Sequence, residues 1–423
     1  KGKRAAGGRA GGATADPCVP GAALTSTVRL LFGQGQFSGA GLSAAACALS
    51  PRYRLPAVLP GIAGDMQRPG MANRQRMGLN LELAENWGLD LESPEDGLTL
   101  LTQGAFAHPR TLGLTLRLLD AFAWWDRPEF AAFARRRLQL KVLKALGLLP
   151  RLAERLGRDL GRRARPEANL YTYRTADYLL STAQDYRPGA GGDRQRIWQA
   201  VLGPDAVCFT THPARLDGPP PNAWGGTGQL PRAAQVGSVT IVVYNLQPLS
   251  QHCGPAGLDF THAWLPQERF DELVEQQGWV FARKGQGYLA LRSMQPAVWQ
   301  PAEPGAAPRE LAAAGAQNIW ICELGRQAGA GEFARFVEQI AAARLAWDAL
   351  RVSYHSPSQG RLEFGWSGPL LQDGRQLPLS DYPRYLNPYV QSSFPTGGLT
   401  ARHAGQTLAL NWRQGLREAS AYA

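Results

Sequence analysis

Aromatic rings, guanidinium groups and titratable side chains are concentrated in one stretch of the chain, from Asn169 to Trp224. The stretch contains, in order, Tyr171, Tyr173, Arg174, Tyr178, Asp185, Tyr186, Arg187, Arg194, Arg196, Trp198, His212 and Trp224. Tyrosine and tryptophan offer a flat apolar face with a polar tip, and arginine grips a carboxylate or sulfate with two donors. The mixture therefore suits an acidic, ring-shaped ligand such as a uronic acid sugar. The alternative interpretation is an aromatic core with solvated arginines at its rim.

A second group of polar residues has types that bind metal ions: His252, Cys253, Asp259 and His262. Imidazole, thiolate and carboxylate all ligate zinc, and one loop is able to bring them together. Their spacing matches no zinc template, so we assign no metal and leave the site open. The alternative is a surface loop in which His262 caps the strand that leads to Trp264.

Motifs for nucleotide binding and for hydrolysis are absent from the sequence. The glycines in Gly33-Gln34-Gly35 and Gly325-Arg326 lack the residues that complete a phosphate-binding loop. Neither G-x-S-x-G nor H-E-x-x-H occurs, so hydrolase and protease functions have no motif support. We expect no cofactor.

Most of the net charge of +11 lies in one segment, residues 135–165. The segment has eleven basic residues against Glu154 and Asp159. Leucines 149, 152, 156 and 160 share one face of a predicted helix, and arginines occupy the other: Arg151, Arg155, Arg158 and Arg162. This basic face is either simply solvated or a surface that binds a polyanion, such as an acidic polymer, a nucleic acid or a membrane.

The periodicity of the chain changes from helical to alternating near Pro166. We expect a truncated or poorly ordered leader over residues 1–50, a helical domain over 51–165 and an antiparallel β-sandwich over 166–423. Within the sandwich the pattern predicts two helices, Gln267–Gln276 and Glu332–Trp347. The fold class is therefore mainly β, with a large antiparallel sandwich after a short α-helical domain.

Composition restricts the class of protein further. No run of eighteen apolar residues occurs, so we expect no membrane span. Five scattered cysteines without a C-x-x-C pair argue against a disulfide framework and slightly favour a reducing compartment such as the cytoplasm. No signal-peptide pattern opens the chain. Because it begins with Lys1, we expect that an upstream portion is missing.

Two motifs within this organisation resemble a known family. They are Tyr171-Thr172-Tyr173-Arg174, at the predicted entry into the sandwich, and the hairpin sequence GWVFARKGQGYLAL over residues 278–291. Together with the preceding helices, they resemble the C-terminal part of polysaccharide lyases of the heparinase II/III type, which are built from an α/α toroid and a β-sandwich. The resemblance covers residues from about 75 to the end and implies that the helical domain is a remnant of the toroid.

The resemblance implies binding or β-eliminative cleavage of an acidic, uronate-containing polysaccharide. Such a site neutralises a carboxylate, removes the adjacent proton and protonates the departing oxygen. Arg174 or Arg194 would neutralise the carboxylate, and Tyr173 or His212 would act as acid or base. The expected sugar-binding residues are Tyr171, Tyr186, Trp198 and Trp224. The alternatives are a non-catalytic structural or carbohydrate-binding sandwich, and polyanion binding through the basic helix.

Overall fold

The computed structural model describes most of the chain from Arg54 onwards. The described residues are 54–65, 70–77, 111–127, 130–149, 168–186, 188, 196–215, 225–247, 259–302, 304–393, 397–411 and 414–422. They form a mainly β protein with large antiparallel sheets, which confirms the predicted fold class. No helix among them is long and apolar enough to cross a membrane.

Helices are few and short. They are α1 (Val58–Gly64), α2 (Leu112–Ala121), α3 (Ala131–Arg135), α4 (Arg137–Ala145), α5 (Gln327–Ala330) and α6 (Phe333–Ala341). Single 3₁₀ turns lie at Trp124–Asp126 and Gln267–Arg269.

Strands make up most of the remaining described chain. They are β1 (Met71–Met77), β2 (Ala168–Arg174), β3 (Leu179–Gln184), β4 (Trp198–Val201), β5 (Val207–Thr211), β6 (Pro213–Arg215), β7 (Gly225–Thr227), β8 (Arg232–Val236), β9 (Val239–Asn245), β10 (Phe260–Trp264), β11 (Glu272–Gln276), β12 (Trp279–Lys284), β13 (Gly287–Ser293), β14 (Ala297–Trp299), β15 (Glu310–Ala314), β16 (Gln317–Arg326), β17 (Leu345–Asp348), β18 (Arg351–Ser356), β19 (Gly360–Gly365), β20 (Leu370–Gln372), β21 (Arg375–Leu377), β22 (Tyr385–Leu386), β23 (Gln391–Ser392), β24 (Gly398–His403), β25 (Gln406–Asn411) and β26 (Leu416–Ala419).

The chain divides into two compact units. The first takes its described residues from Lys1–Asn73, Tyr171–Ser380 and Tyr422–Ala423, and the second from Arg74–Leu170 and Asp381–Ala421. Residues 381–421 therefore group with the helical segment, a division that differs from the sequence-based limits at 165 and 166. Strand β1 pairs with β22 through backbone hydrogen bonds and so joins these distant segments. A local sequence pattern does not predict such a long-range pairing.

Three sheets build the first unit. Sheet A is ten-stranded, with the order β14-β15-β10-β5-β4-β3-β2-β1-β22-β23, of which the strands from β14 to β3 lie wholly in this unit. Sheet B has the order β11-β12-β13-β16-β9-β8, and sheet C the order β17-β18-β19-β20-β21. Every strand pair with a resolved register in them is antiparallel. Strand β6 pairs separately with β7.

Strand β9 shows how sheet B separates two kinds of interior. Val239, Ile241 and Val243 belong to an apolar core formed with α6 and sheet C. The alternate residues face sheet A: Thr240 shares a 3.1 Å hydrogen bond with Thr182 of β3. Because successive side chains of a strand point to opposite faces, sheet B is covered on both sides. The first unit is thus a sandwich with an additional layer.

Two predicted helices are strands in part, which corrects the sequence interpretation. Over Gln267–Gln276, only one 3₁₀ turn forms before β11 pairs with β12. Gln277 and Gly278 both have positive φ, which is the geometry of a tight two-residue hairpin and overrides the helical periodicity. Over Glu332–Trp347, the helix ends at Ala341, and β17 follows as an edge strand of sheet C.

The second unit contains α2, α3 and α4 and the sheet β24-β25-β26. Leu112, Trp125, Phe133 and Leu140 form the centre of the helical core. These helices lie where helical periodicity was predicted, whereas β1 (Met71–Met77) is a strand within the segment that was expected to be helical. Residues 78–110 and 150–167 lie outside the described chain.

Candidate functional site

Tyr173 and Arg174 are adjacent in β2 and therefore point to opposite faces. Arg174 is 7% exposed, and its Nη2 donates to the carbonyl oxygens of Ile62 and Asp65, both at 3.4 Å. Tyr173 is only partly buried, and its ring centre lies 6.2 Å from that of Tyr178. The structure therefore uses Arg174 to hold backbone, and Tyr173 keeps some exposure.

His212 follows β5 directly and is 1% exposed. Its Nδ1 accepts a 3.0 Å hydrogen bond from the backbone N–H of Gln229. A ring whose Nδ1 accepts carries its proton on Nε2 when it is neutral. Gly228 passes so close to the ring that a Cβ there would clash with it. His212 is thus fixed inside the protein by the segment that follows β7.

Three of the predicted sugar-binding residues are buried: Tyr171, Tyr186 and Trp198. Trp198 is 1% exposed, and its Nε1 donates to Thr210 Oγ1 at 2.8 Å. Thr210 Oγ1 also shares a 3.0 Å hydrogen bond with the hydroxyl of Tyr244. In this conformation a sugar ring has no access to the indole face of Trp198, so we do not include these rings in a binding surface.

Several predicted site residues lie outside the described chain, so their roles stay predictions. They are Arg194, Trp224, the basic helix residues Arg151, Arg155, Arg158 and Arg162, and the metal-ligand candidates His252 and Cys253.

His262 lies within strand β10. The alternative interpretation, in which His262 belongs to a surface loop and caps this strand, is therefore wrong. Its Nε2 is 2.8 Å from Thr211 Oγ1, and its Nδ1 is 3.4 Å from a carboxylate oxygen of Glu310. All three side chains are buried. No cluster of three or more His, Cys, Asp or Glu residues suited to a metal ion occurs in the described part of the chain.

Sequence analysis missed a buried carboxylate in β16, Glu323. It accepts hydrogen bonds from Tyr354 Oη at 2.6 Å, Ser358 Oγ at 2.6 Å and Ser356 Oγ at 3.0 Å. Burial raises the pKa of the Glu323 carboxyl, and the hydroxyl donors oppose this shift only in part. A glutamate within the otherwise apolar run 319–324 is the sequence signal that marks such a group.

A second missed group combines Arg292 of β13 with Trp347 of β17. The Arg292 guanidinium carbon lies 5.8 Å from the ring centre of Trp279 and 5.6 Å from that of Trp347. Trp279 is buried, whereas Trp347 is 47% exposed. The exposed indole and the guanidinium therefore form a pair at the surface of the first unit, with the chemistry that we expected between Asn169 and Trp224.

The second unit carries an open groove of about 900 Å³ on the sheet β24-β25-β26. Thr400, Ala409 and Glu418 are directly opposite one another in this sheet and so share one face. Small side chains at Thr400 and Ala409 leave the floor of the groove low. Ala401 and Leu408 on the alternate positions are buried on the other face.

Polar groups surround the floor of this groove. The amides of Asn411 and Gln414, the guanidinium of Arg402 and the hydroxyl of Ser392 all line it. Within the described chain, Ser392 Oγ is buried without a hydrogen-bond partner. Because buried hydroxyls are nearly always paired, this atom has an unused hydrogen-bonding capacity at the edge of the groove.

Comparisons with known proteins gave no match, either to a family model, to a curated protein or to a solved structure.

Proposed function

We propose that the protein binds an acidic polysaccharide in the groove on β24-β26. The observation that carries the proposal is the combination of a low, small-residue floor with amide, hydroxyl, guanidinium and carboxylate groups around it. Sugars present hydroxyl groups that both donate and accept, and amide and carboxylate side chains satisfy both directions. Open grooves with convergent polar groups are typical ligand sites.

Arg402 provides the preference for an acidic polymer. Its side chain is exposed in the groove, and its backbone N–H is fixed by a 2.9 Å hydrogen bond to the carbonyl oxygen of Tyr389. A guanidinium presents two parallel donors that match a uronate carboxylate. Glu418, which also lines the groove, is suited to accept from sugar hydroxyls.

The proposed function is tested by affinity electrophoresis in gels that contain either polygalacturonate or neutral galactan. We expect retardation by the acidic polymer, and Arg402→Gln should weaken it at least about tenfold, the usual effect of losing a charge-assisted hydrogen bond. Arg375→Gln is the matched control, since Arg375 is also exposed and the net charge changes equally. Equal retardation of both variants would overturn the groove proposal.

Cleavage by β-elimination stays a separate prediction. Arg174 and His212 are buried, and none of the described candidates for acid, base or carboxylate neutralisation lines the groove. We therefore expect binding without formation of an unsaturated, ultraviolet-absorbing product. Should the chain release such a product, Tyr173→Phe decides the matter: loss of turnover by about 10² or more would assign catalysis to the Tyr173 hydroxyl.

A further inference from the structure

Arg292 differs from a buried structural arginine in that its donors are mostly unused. Nη1 donates to the carbonyl oxygen of Gln277 at 2.7 Å, whereas Nε is buried without a partner. Among the described residues no carboxylate forms an ion pair with it. The Arg292 side chain is only partly buried. Because its donors are not occupied by a carboxylate of the described chain, it is able to bind an anion without first breaking an ion pair.

The position of the guanidinium is fixed before any ligand arrives. Arg292 is directly opposite Trp279 in the β12–β13 pair, and its guanidinium carbon lies within about 6 Å of the ring centres of both Trp279 and Trp347. Indole rings attract a cation over their faces, which keeps the side chain in place. A donor group that is already oriented binds its ligand with a smaller loss of conformational entropy.

The β11–β12 turn lies against the guanidinium of Arg292. Gly278 has φ +78, and a Cβ at this position would be in van der Waals contact with the guanidinium carbon, at 3.5 Å. A larger side chain here would therefore cover more of the Arg292 guanidinium. The neighbouring indole of Trp347 is about half exposed, so a ligand that reaches Arg292 also meets an apolar ring face.

The geometry points to a second saccharide site, in which Arg292 binds the carboxylate of a uronate residue and Trp347 stacks on its sugar ring. A carboxylate accepts from the Nη2 group of the guanidinium, which is not among its buried atoms, and the apolar face of a pyranose packs on an indole. A carboxylate alone would use Arg292 but leave Trp347 exposed, and a neutral sugar would leave the cation unpaired. This inference rests on the proposed function for the class of ligand, but it uses different residues.

The test is a calorimetric titration of the full chain with glucuronate and with glucose, two monosaccharides that differ in the carboxylate. We expect saturable binding of glucuronate and much weaker binding of glucose. Arg292→Gln should weaken glucuronate binding at least about tenfold, and Trp347→Ala should weaken it as well. Arg292→Lys keeps the charge but not the planar fork, so it should be intermediate. Arg351→Gln is the control, because this exposed arginine of the same region already pairs with Glu363 at 3.4 Å.

The outcomes separate this site from the groove. If Arg292→Gln folds normally and binds glucuronate as the unmodified protein does, while Arg402→Gln abolishes binding, the second site is refuted and the proposed function stands. If Arg292→Gln alone loses binding and Arg402→Gln retains polymer retardation, the groove is refuted and the second site stands. Should Arg292→Gln be unfolded, the Arg292→Lys and Trp347→Ala titrations decide: unchanged glucuronate affinity in both variants overturns the inference.

Discussion

Arg232 and Arg292 are both arginines beside an aromatic ring in the first unit, but only one has its donors filled. Arg232 gives Nε and Nη2 to the two carboxylate oxygens of Asp185 at 2.8 and 3.0 Å. Its Nη1 donates to the carbonyl oxygen of Gly365 at 2.7 Å. The same residue type therefore has two uses: a guanidinium with a filled fork joins segments of the fold, and one with unused donors is a binding group.

The tryptophans divide in the same way. Trp198 is buried and its indole N–H is bonded to Thr210, whereas Trp347 is 47% exposed at an edge strand. Residue type alone does not distinguish a structural ring from one that can stack on a ligand. The two are distinguished by the exposure of the ring and by whether its polar atom already has a hydrogen-bond partner.

The largest effect should come from Arg232→Ala. The side chain of Arg232 is only 9% exposed, and its loss leaves the Asp185 carboxylate without its bidentate partner. Breaking a buried ion pair on one side typically costs about 3–5 kcal/mol, and the partial exposure of Asp185 places the expected loss towards the lower end. Urea denaturation of this variant and of Arg292→Gln measures the difference; we expect the second to lose under about 1 kcal/mol. Equal losses would mean that Arg292 is as structural as Arg232.

A smaller effect is expected for Trp198→Phe. The substitution replaces a fully buried indole by a smaller phenyl ring and removes the donor to Thr210 Oγ1, so it should lower the free energy of unfolding by about 1–3 kcal/mol. Trp347→Phe at the half-exposed position should change it by about 0.5 kcal/mol or less. Chemical denaturation checks both. If the order is reversed, Trp347 belongs to the core and the stacking role fails.

Much of the fold was predictable because segments with the sequence pattern of β-strands recur along the chain. The hairpin of β12 and β13 and the strand β9 follow directly from β-branched and aromatic alternation, and the mainly β class follows from them. Helical periodicity failed at Leu273 and Val274, since a single pair of residues with positive φ sets the pairing there. The grouping of residues 381–421 with the helices depends on pairing between distant segments, which periodicity does not report.

The residue types of the proposed second site are those that the sequence analysis looked for, but their location in the chain is different. The sequence indicated indole and guanidinium groups for an acidic sugar, and it pointed to the densest cluster of them. This cluster is dense because its residues belong to the interior of sheet A, where Trp198 and Arg174 have hydrogen-bond partners within the protein. Arg292 and Trp347 are fifty-five positions apart in the sequence and meet only because sheet C packs on sheet B.

Glu323 extends the comparison to a buried acid that accepts hydrogen bonds from three uncharged hydroxyl groups. Its folded-state pKa is raised by burial, so the folded protein binds a proton more tightly at this carboxyl than the unfolded chain does. The resulting stabilisation is fully present below the unfolded pKa of about 4.3 and is lost as the pH rises through the raised value. One proton limits the slope to about 1.4 kcal/mol per pH unit. We expect Glu323→Gln, which is neutral at every pH, to remove this slope in urea denaturation from pH 5 to 8. Its single amide oxygen keeps the hydrogen bond from one side only, either from Tyr354 or from Ser356 and Ser358, because these donors contact different oxygens of Glu323. Glu363→Gln is the control, since Glu363 pairs with Arg361 at 3.1 Å and its substitution should leave the slope in place. A slope that persists in Glu323→Gln would mean that other groups produce it, and it would contradict a raised pKa of Glu323 as its source.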